Sequence, residues 1–195
     1  MMKDTLAHRL TTHLVDAFSP MLMHGAWQGP TTSSPEVLTW SRRSEQGCEQ
    51  QIAVQLDTRW TQAGGSCTVN LGHRDPCFDA FIGSPPQQLL HVRLGRLVTG
   101  TDTWTLIDQD TVALHTRAIA ADMSRLGLPW LLQCEDPTQP LVDGQGGLLG
   151  MRRIAYQCYQ GLREDARIAF ILLSQFDGGG AINHERTIAL AARLG

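Results

Sequence analysis

The stretch VLTWSRRSEQGCEQQIAVQL, residues 37–56, decides the fold, because it contains two strand-like halves around one turn. Its second half alternates apolar and polar residues from Cys48 to Leu56, a period typical of a strand with one buried face. The Ser-Glu-Gln-Gly segment at 44–47 has the composition of a tight turn. The stretch therefore predicts antiparallel strands at 37–43 and from Cys48 to about Trp60.

The same alternation continues downstream. Cys67, Val69 and Leu71 predict a third strand, entered through the Gly64-Gly65 turn. A fourth strand is predicted around Leu90, Val92 and Leu94, after a long loop at 72–88, and Trp104–Leu106 would extend the sheet. Residues 37–107 are thus expected to form an antiparallel sheet of about four or five strands with one dry face.

Helical periodicity flanks this region. Asp4 would cap a first helix that ends at Ser19-Pro20, and 24–36 has a loop composition. A second helix would begin at Asp108 or Asp110 and stop at Gly127 and Pro129. Further helices are expected at 129–134, 148–173 and 183–194. The positions that would bury the first two helices are Leu6, Leu10, Leu14, Phe18, Val112, Ile119, Met123 and Leu126.

We therefore expect a single α+β domain over residues 1–195, with the helices packed against the sheet. Its parts would be a helix and loop at 1–36, the antiparallel sheet at 37–107 and a helical part at 108–195. A chain of 195 residues can bury enough surface to fold without a metal or a disulfide.

Composition excludes several classes of function. The net charge is -3, with no long block of one sign, which makes nucleic-acid binding unlikely. Apolar runs are too short for a membrane helix, and the N-terminus lacks a signal-peptide core, so we expect a cytoplasmic protein without membrane contact. The five cysteines include no C-x-x-C pair, so neither a disulfide scaffold nor a zinc ribbon is predicted.

Four segments together resemble a known bacterial family. They are LTWSRRSEQGCEQQIAVQLDTRW (38–60), SCTVNLG (66–72), HVRLGRLVTGTDTWTLID (91–108) and LPWLLQC (128–134). In order and residue type they resemble the domain-of-unknown-function 4304 family over about residues 5–135. The resemblance implies an α+β fold with helices against an antiparallel sheet. It implies no activity, and Cys67 stands where that family usually has an aromatic residue.

Two groups of residues are candidates for binding. The first combines aromatic and basic side chains on the sheet, Trp40, Arg42, Arg93 and Trp104, a composition typical of protein-binding hot spots. The alternative is that the tryptophans are core residues and the arginines their polar rim. The second group, His73, Arg74 and Asp75, follows a strand end, where functional groups concentrate. Its alternative is a solvated loop, with Asp75 initiating a turn before Pro76.

Metal binding, nucleophilic catalysis and phosphate binding have only weak signals in the sequence. His73 and Cys77 are spaced for a metal or an activated thiolate, but Pro76 disfavours the helical geometry that this requires. The glycine-rich segment at 144–150 resembles a phosphate loop but fits a linker better. We therefore predict no metal, no cofactor and no named catalytic residue. The leading hypothesis is a protein-binding module, of immunity or regulatory type; the alternative is a small-ligand binder or enzyme using a cleft beside the 72–88 loop.

Overall fold

The computed structural model describes residues 6–34, 36–45, 47–57, 65–76, 90–98, 100–101, 103–106 and 109–135, together with Gln157 and Gly161. The helices are α1 (Leu6–Leu22), α2 (Leu94–Val98), α3 (Gln109–Asp122) and α4 (Leu128–Glu135), with a π-helical turn at Met123–Gly127. The strands are β1 (Gln28–Ser34), β2 (Val37–Arg43), β3 (Glu49–Leu56), β4 (Gly65–Arg74), β5 (Leu90–Arg93) and β6 (Trp104–Leu106). The helices predicted at 148–173 and 183–194 lie outside the described residues, apart from Gln157 and Gly161.

The sheet is antiparallel throughout and follows the order β1-β2-β3-β4-β5. β6 lies on the same edge of β4 as β5: β5 pairs with residues 70–73 of β4, and β6 with residues 65–67. The α+β architecture with an antiparallel sheet is therefore confirmed, and the sheet has one strand more than the upper bound expected.

One apolar cluster holds the helices against a single face of this sheet, which we call the core face. Alternate strand residues point into it, so Trp40, Ile52, Leu71 and Val92 stand side by side across four strands. The helices contribute Leu10, Leu14, Phe18, Leu22, Val112, Ile119, Met123, Trp130, Leu131 and Cys134. We call the opposite side of the sheet the outer face.

Two helix ends differ from the prediction. α1 continues through Pro20 to Leu22, because Phe18 and Leu22 are both buried in the core and this burial outweighs the hydrogen bond that proline removes. The second helix does not stop at Gly127: the N–H of Leu128 bonds to the carbonyl of Met123, and α4 follows directly. Pro129 has no N–H, so it interrupts the helical hydrogen-bond ladder directly after the π-helical turn.

Two segments of the sheet were also predicted wrongly. Residues 28–34 form β1 instead of a loop, because Pro30 and the register shifts near it are tolerated in an edge strand. Gly29 has φ +123°, and a Cβ there would lie 2.6 Å from the carbonyl oxygen of Thr39. Leu94 begins α2 instead of continuing β5, and Gly95 gives the room for this, since a Cβ would lie 2.4 Å from the carbonyl oxygen of Thr101.

Candidate functional site

The predicted Trp–Arg surface is not formed as one exposed patch. Trp40 and Arg42 share a sheet face, as expected, but it is the core face, and Trp40 is buried against Phe18 with ring centroids 5.3 Å apart. Trp104 is half-buried on the same face, opposite Cys67. Arg93 lies on the outer face, where it is exposed and pairs in register with Asn70.

The second predicted group is divided between the two faces. His73 points into the core face and is buried, whereas Arg74, the next residue along β4, lies on the outer face. Asp75 follows the strand and is half-buried. Strand neighbours point in opposite directions, so these side chains do not line one cleft. Cys77 and most of the 72–88 loop lie outside the described residues.

A polar row crosses the core face near the ends of three strands. Arg42, Gln50 and His73 are direct cross-strand neighbours on β2, β3 and β4, and we call them the inner row. Gln50 is 1% exposed and His73 2%, so neither reaches solvent to any useful degree. Buried polar groups of this kind are stable only when they are hydrogen-bonded.

Gln50 is the centre of the inner row. Its Oε1 accepts from Nε of Arg42 at 2.7 Å, and its Nε2 donates to the carbonyl of Leu131 in α4 at 2.6 Å. The same Nε2 lies 3.2 Å from Nδ1 of His73. Because Arg42 can only donate and the Leu131 carbonyl can only accept, the amide orientation is fixed. The Nδ1 atom of His73 must therefore be an acceptor, which selects the neutral imidazole with its proton on Nε2.

Arg42 extends the row to two further elements. Its Nη2 donates to Oε1 of Glu135 at 3.1 Å, and both side chains are 16% exposed. Its guanidinium also lies over the ring of Trp27, 5.1 Å from the ring centroid. Trp27 is half-buried against the core, so Arg42 stacks on Trp27 and not on its strand neighbour Trp40. The inner row thus joins three strands, α4 and the segment before β1.

Two groups on the core side of the sheet have raised pKa values. Burial raises the pKa of Glu135; the Arg42 cation lowers it and the nearby Glu45 raises it further. Burial also raises the pKa of the Cys67 thiol to about 12, which keeps it protonated and a poor nucleophile. The described part of the chain holds no cluster of three or more potential metal ligands.

The outer face carries a second polar row on the same three strands, one residue along. Arg43, Glu49 and Arg74 are cross-strand neighbours there, and we call them the outer row. Glu49 accepts a hydrogen bond from Arg74 at 3.2 Å and forms an ion pair with Arg43, with an N–O distance of 3.6 Å. Beside it, Ser41, His91 and Arg93 are exposed. This face offers charge and hydrogen bonds directly to solvent.

Sequence reasoning missed three residues of this site. They are Gln50, the centre of the inner row, and Trp27 and Glu135, which contact Arg42. Gln50 had a usable signal, since it is a polar residue at a core-facing position of an alternating strand. Trp27 and Glu135 had none, because they meet Arg42 only through the tertiary fold.

Comparisons of the chain with protein-family models, with curated proteins and with solved structures found no match. The resemblance to the domain-of-unknown-function 4304 family therefore stays a prediction. No helix in the described part of the chain is both long and apolar enough to span a bilayer.

Proposed function

We propose that this protein is a binding module that recognises another protein through the outer face of its sheet. The observation that supports this most is the contrast between the two faces of the sheet: one is covered by helices, and the other carries exposed polar side chains. The helices α1, α3 and α4 all contribute to the core-face cluster, while the outer face presents exposed Ser41, Arg43, His91 and Arg93. Residues of the outer face lie outside the apolar core cluster, so core packing does not explain their polarity.

The size of the outer face supports the same proposal. Five strands spaced about 4.8 Å apart and about 25 Å long present a projected area of about 500 Å². That is of the same order as the ~800 Å² that each partner buries in a standard protein–protein interface. Side chains and flanking loops would add to the projected area.

The inner row would keep this platform rigid. Through Gln50 and Arg42 it fixes α4 on β2, β3 and β4, so the strands that form the outer face are held from behind. A pre-formed surface loses less conformational entropy on binding than a flexible one. We therefore assign the inner row a positioning role, not contact with the partner.

Site-specific photo-crosslinking tests the proposal. A benzoylphenylalanine would replace Ser41 or Thr105, exposed on the outer face, and Ala118 or Ala121, exposed on α3, as matched controls. On irradiation in cells, we expect defined protein adducts from the two outer-face positions and none from α3. Adducts from α3 alone, or from none of the four positions, would contradict binding through the outer face.

A further inference from the structure

The outer face differs in charge from the molecule as a whole. The chain has 16 Lys and Arg against 19 Asp and Glu, and its net charge is -3. Among the described residues of the outer face the balance is reversed: three arginines, Arg43, Arg74 and Arg93, stand against two carboxylates, Glu49 and Asp57. A local positive field on a negative protein selects partners by charge.

Two of the basic residues lie at one end of this face and the third lies near its middle. Arg43 and Arg74 lie two strands apart, about 10 Å, in the outer row, and Arg93, on β5, pairs with Asn70, four residues before Arg74 on β4. Asp57 lies at the other end, where it accepts a hydrogen bond from the hydroxyl of Ser66. Ser66 and Arg74 are eight residues apart on β4, a distance of about 26 Å.

Besides Arg93 and His91, the strand residues between these ends are uncharged, and most of them can form hydrogen bonds. The strands contribute Thr39, Ser41, Gln51, Gln55, Thr68 and Asn70 to the outer face. A partner that fits must itself be polar, and arginine forks bind carboxylates with two parallel hydrogen bonds. Glu49 already lies between Arg43 and Arg74, and its ion pairs with both show that a carboxylate fits beside these arginines.

A nucleic acid fits this face less well than an acidic protein. Base stacking needs aromatic side chains, yet Trp27, Trp40 and Trp104 all pack on the core side of the sheet. Three arginines neutralise few phosphates compared with proteins that bind DNA through their charge.

We propose that the partner binds this face with an acidic segment whose Asp or Glu carboxylates engage Arg43, Arg74 and Arg93. This inference rests on the proposed function and specifies its partner. Affinity then depends mainly on charge, so it weakens as the salt concentration rises.

A labelled peptide of alternating Glu and Ser tests the inference by fluorescence anisotropy with the full chain. A Gln-Ser peptide is the neutral control, and single-stranded thymidine DNA of equal length is the polyanion control. We expect the Glu-Ser peptide to bind, the Gln-Ser peptide not to bind, and affinity to fall as salt rises from about 0.05 M to about 0.3 M.

Charge reversal localises the binding. Arg93→Glu should weaken binding of the Glu-Ser peptide about fivefold or more, since it replaces an attraction by a repulsion. Arg117→Glu changes the net charge equally at an exposed position of α3 and should leave the affinity unchanged. Unfolding curves of both variants would confirm that they fold.

Three results would overturn the inference: no binding of the Glu-Ser peptide, equal effects of the two charge reversals, or tighter binding of the DNA with the same dependence on Arg93. Crosslinked adducts from Ser41 and Thr105 without Glu-Ser binding would remove the acidic partner and leave outer-face binding intact. The two proposals can therefore fail separately.

Discussion

The inner and outer rows lie on the same three strands, one residue apart, and they have different polar groups at their centres. Each places a β3 residue between a β2 arginine and a β4 residue. In the outer row the central residue is Glu49, whose side chain is 43% exposed. In the inner row it is Gln50, 1% exposed. Solvent access decides which central group is tolerated.

The physical reason is the cost of burying charge. A carboxylate in the interior loses its hydration, and its neighbours must replace it in full. Gln50 avoids this cost, because an amide both donates and accepts and so satisfies Arg42, His73 and the Leu131 carbonyl together. Glu49 offers only acceptor oxygens, and this suffices because both of its cross-strand neighbours are arginines and the side chain is partly exposed to water.

Exchanging the two central groups gives the largest expected effect. Gln50→Glu keeps the bond from Arg42 but turns an N–H donor into an oxygen that faces the Leu131 carbonyl and Nδ1 of His73. We expect a loss of about 3 kcal/mol of unfolding free energy. Glu49→Gln, the matched swap in the outer row, should change it by about 0.5 kcal/mol or less. Urea unfolding of both variants measures the difference, and equal losses would refute the role of burial.

Local periodicity explains which parts of this comparison were predictable. The alternation of β3 and β4 places Ile52, Val54, Val69 and Leu71 in the core, as the sequence indicates. The same alternation puts Gln50 on the buried face, so the position of this central residue of the inner row could be predicted from the sequence. Patterns of period two carry this information because each strand residue faces one side only.

The remaining contacts join residues that lie far apart in the sequence. Glu135 bonds to Arg42 across 93 residues, and no local pattern encodes such a pair. β1 was missed because Gly29 and Pro30 are typical of loops, and only an edge position makes them compatible with a strand. The charge of the outer face was also hidden, since Arg43, Arg74 and Arg93 meet only after the strands pair.

Removing the β2 arginine of each row, Arg42 or Arg43, is the second test. Arg42→Met keeps an apolar stem against Trp27 but leaves Glu135 and Oε1 of Gln50 without their donor. Breaking a buried ion pair is costly, and with side chains that retain slight exposure we expect about 2 kcal/mol. Arg43→Met, one residue along and 69% exposed, should cost about 0.3 kcal/mol. Thermal or urea unfolding compares them, and a similar cost at both positions would show that the rows do not differ.

The smallest expected effect is a pH dependence confined to the inner row. Burial raises the pKa of Glu135 in the folded protein above its ordinary value, which the unfolded chain keeps. At a pH between these two pKa values, the folded protein therefore holds a proton that the unfolded chain has lost. The contribution of Glu135 to stability is therefore greatest below the ordinary pKa, about 4.3, and is lost as the pH rises through the raised value.

Glu135→Gln isolates this contribution, because all other carboxylates cancel when the variant is subtracted from the wild type. The stability of the wild type relative to Glu135→Gln should fall as the pH rises from about 4 to about 7, as measured by urea unfolding at each pH. Glu45→Gln should flatten the dependence, since Glu45 helps to raise the pKa of Glu135. Arg42→Met should steepen it by removing the cation that lowers the pKa. A difference that grows with pH would instead mean that attraction to Arg42 outweighs desolvation of the Glu135 carboxylate.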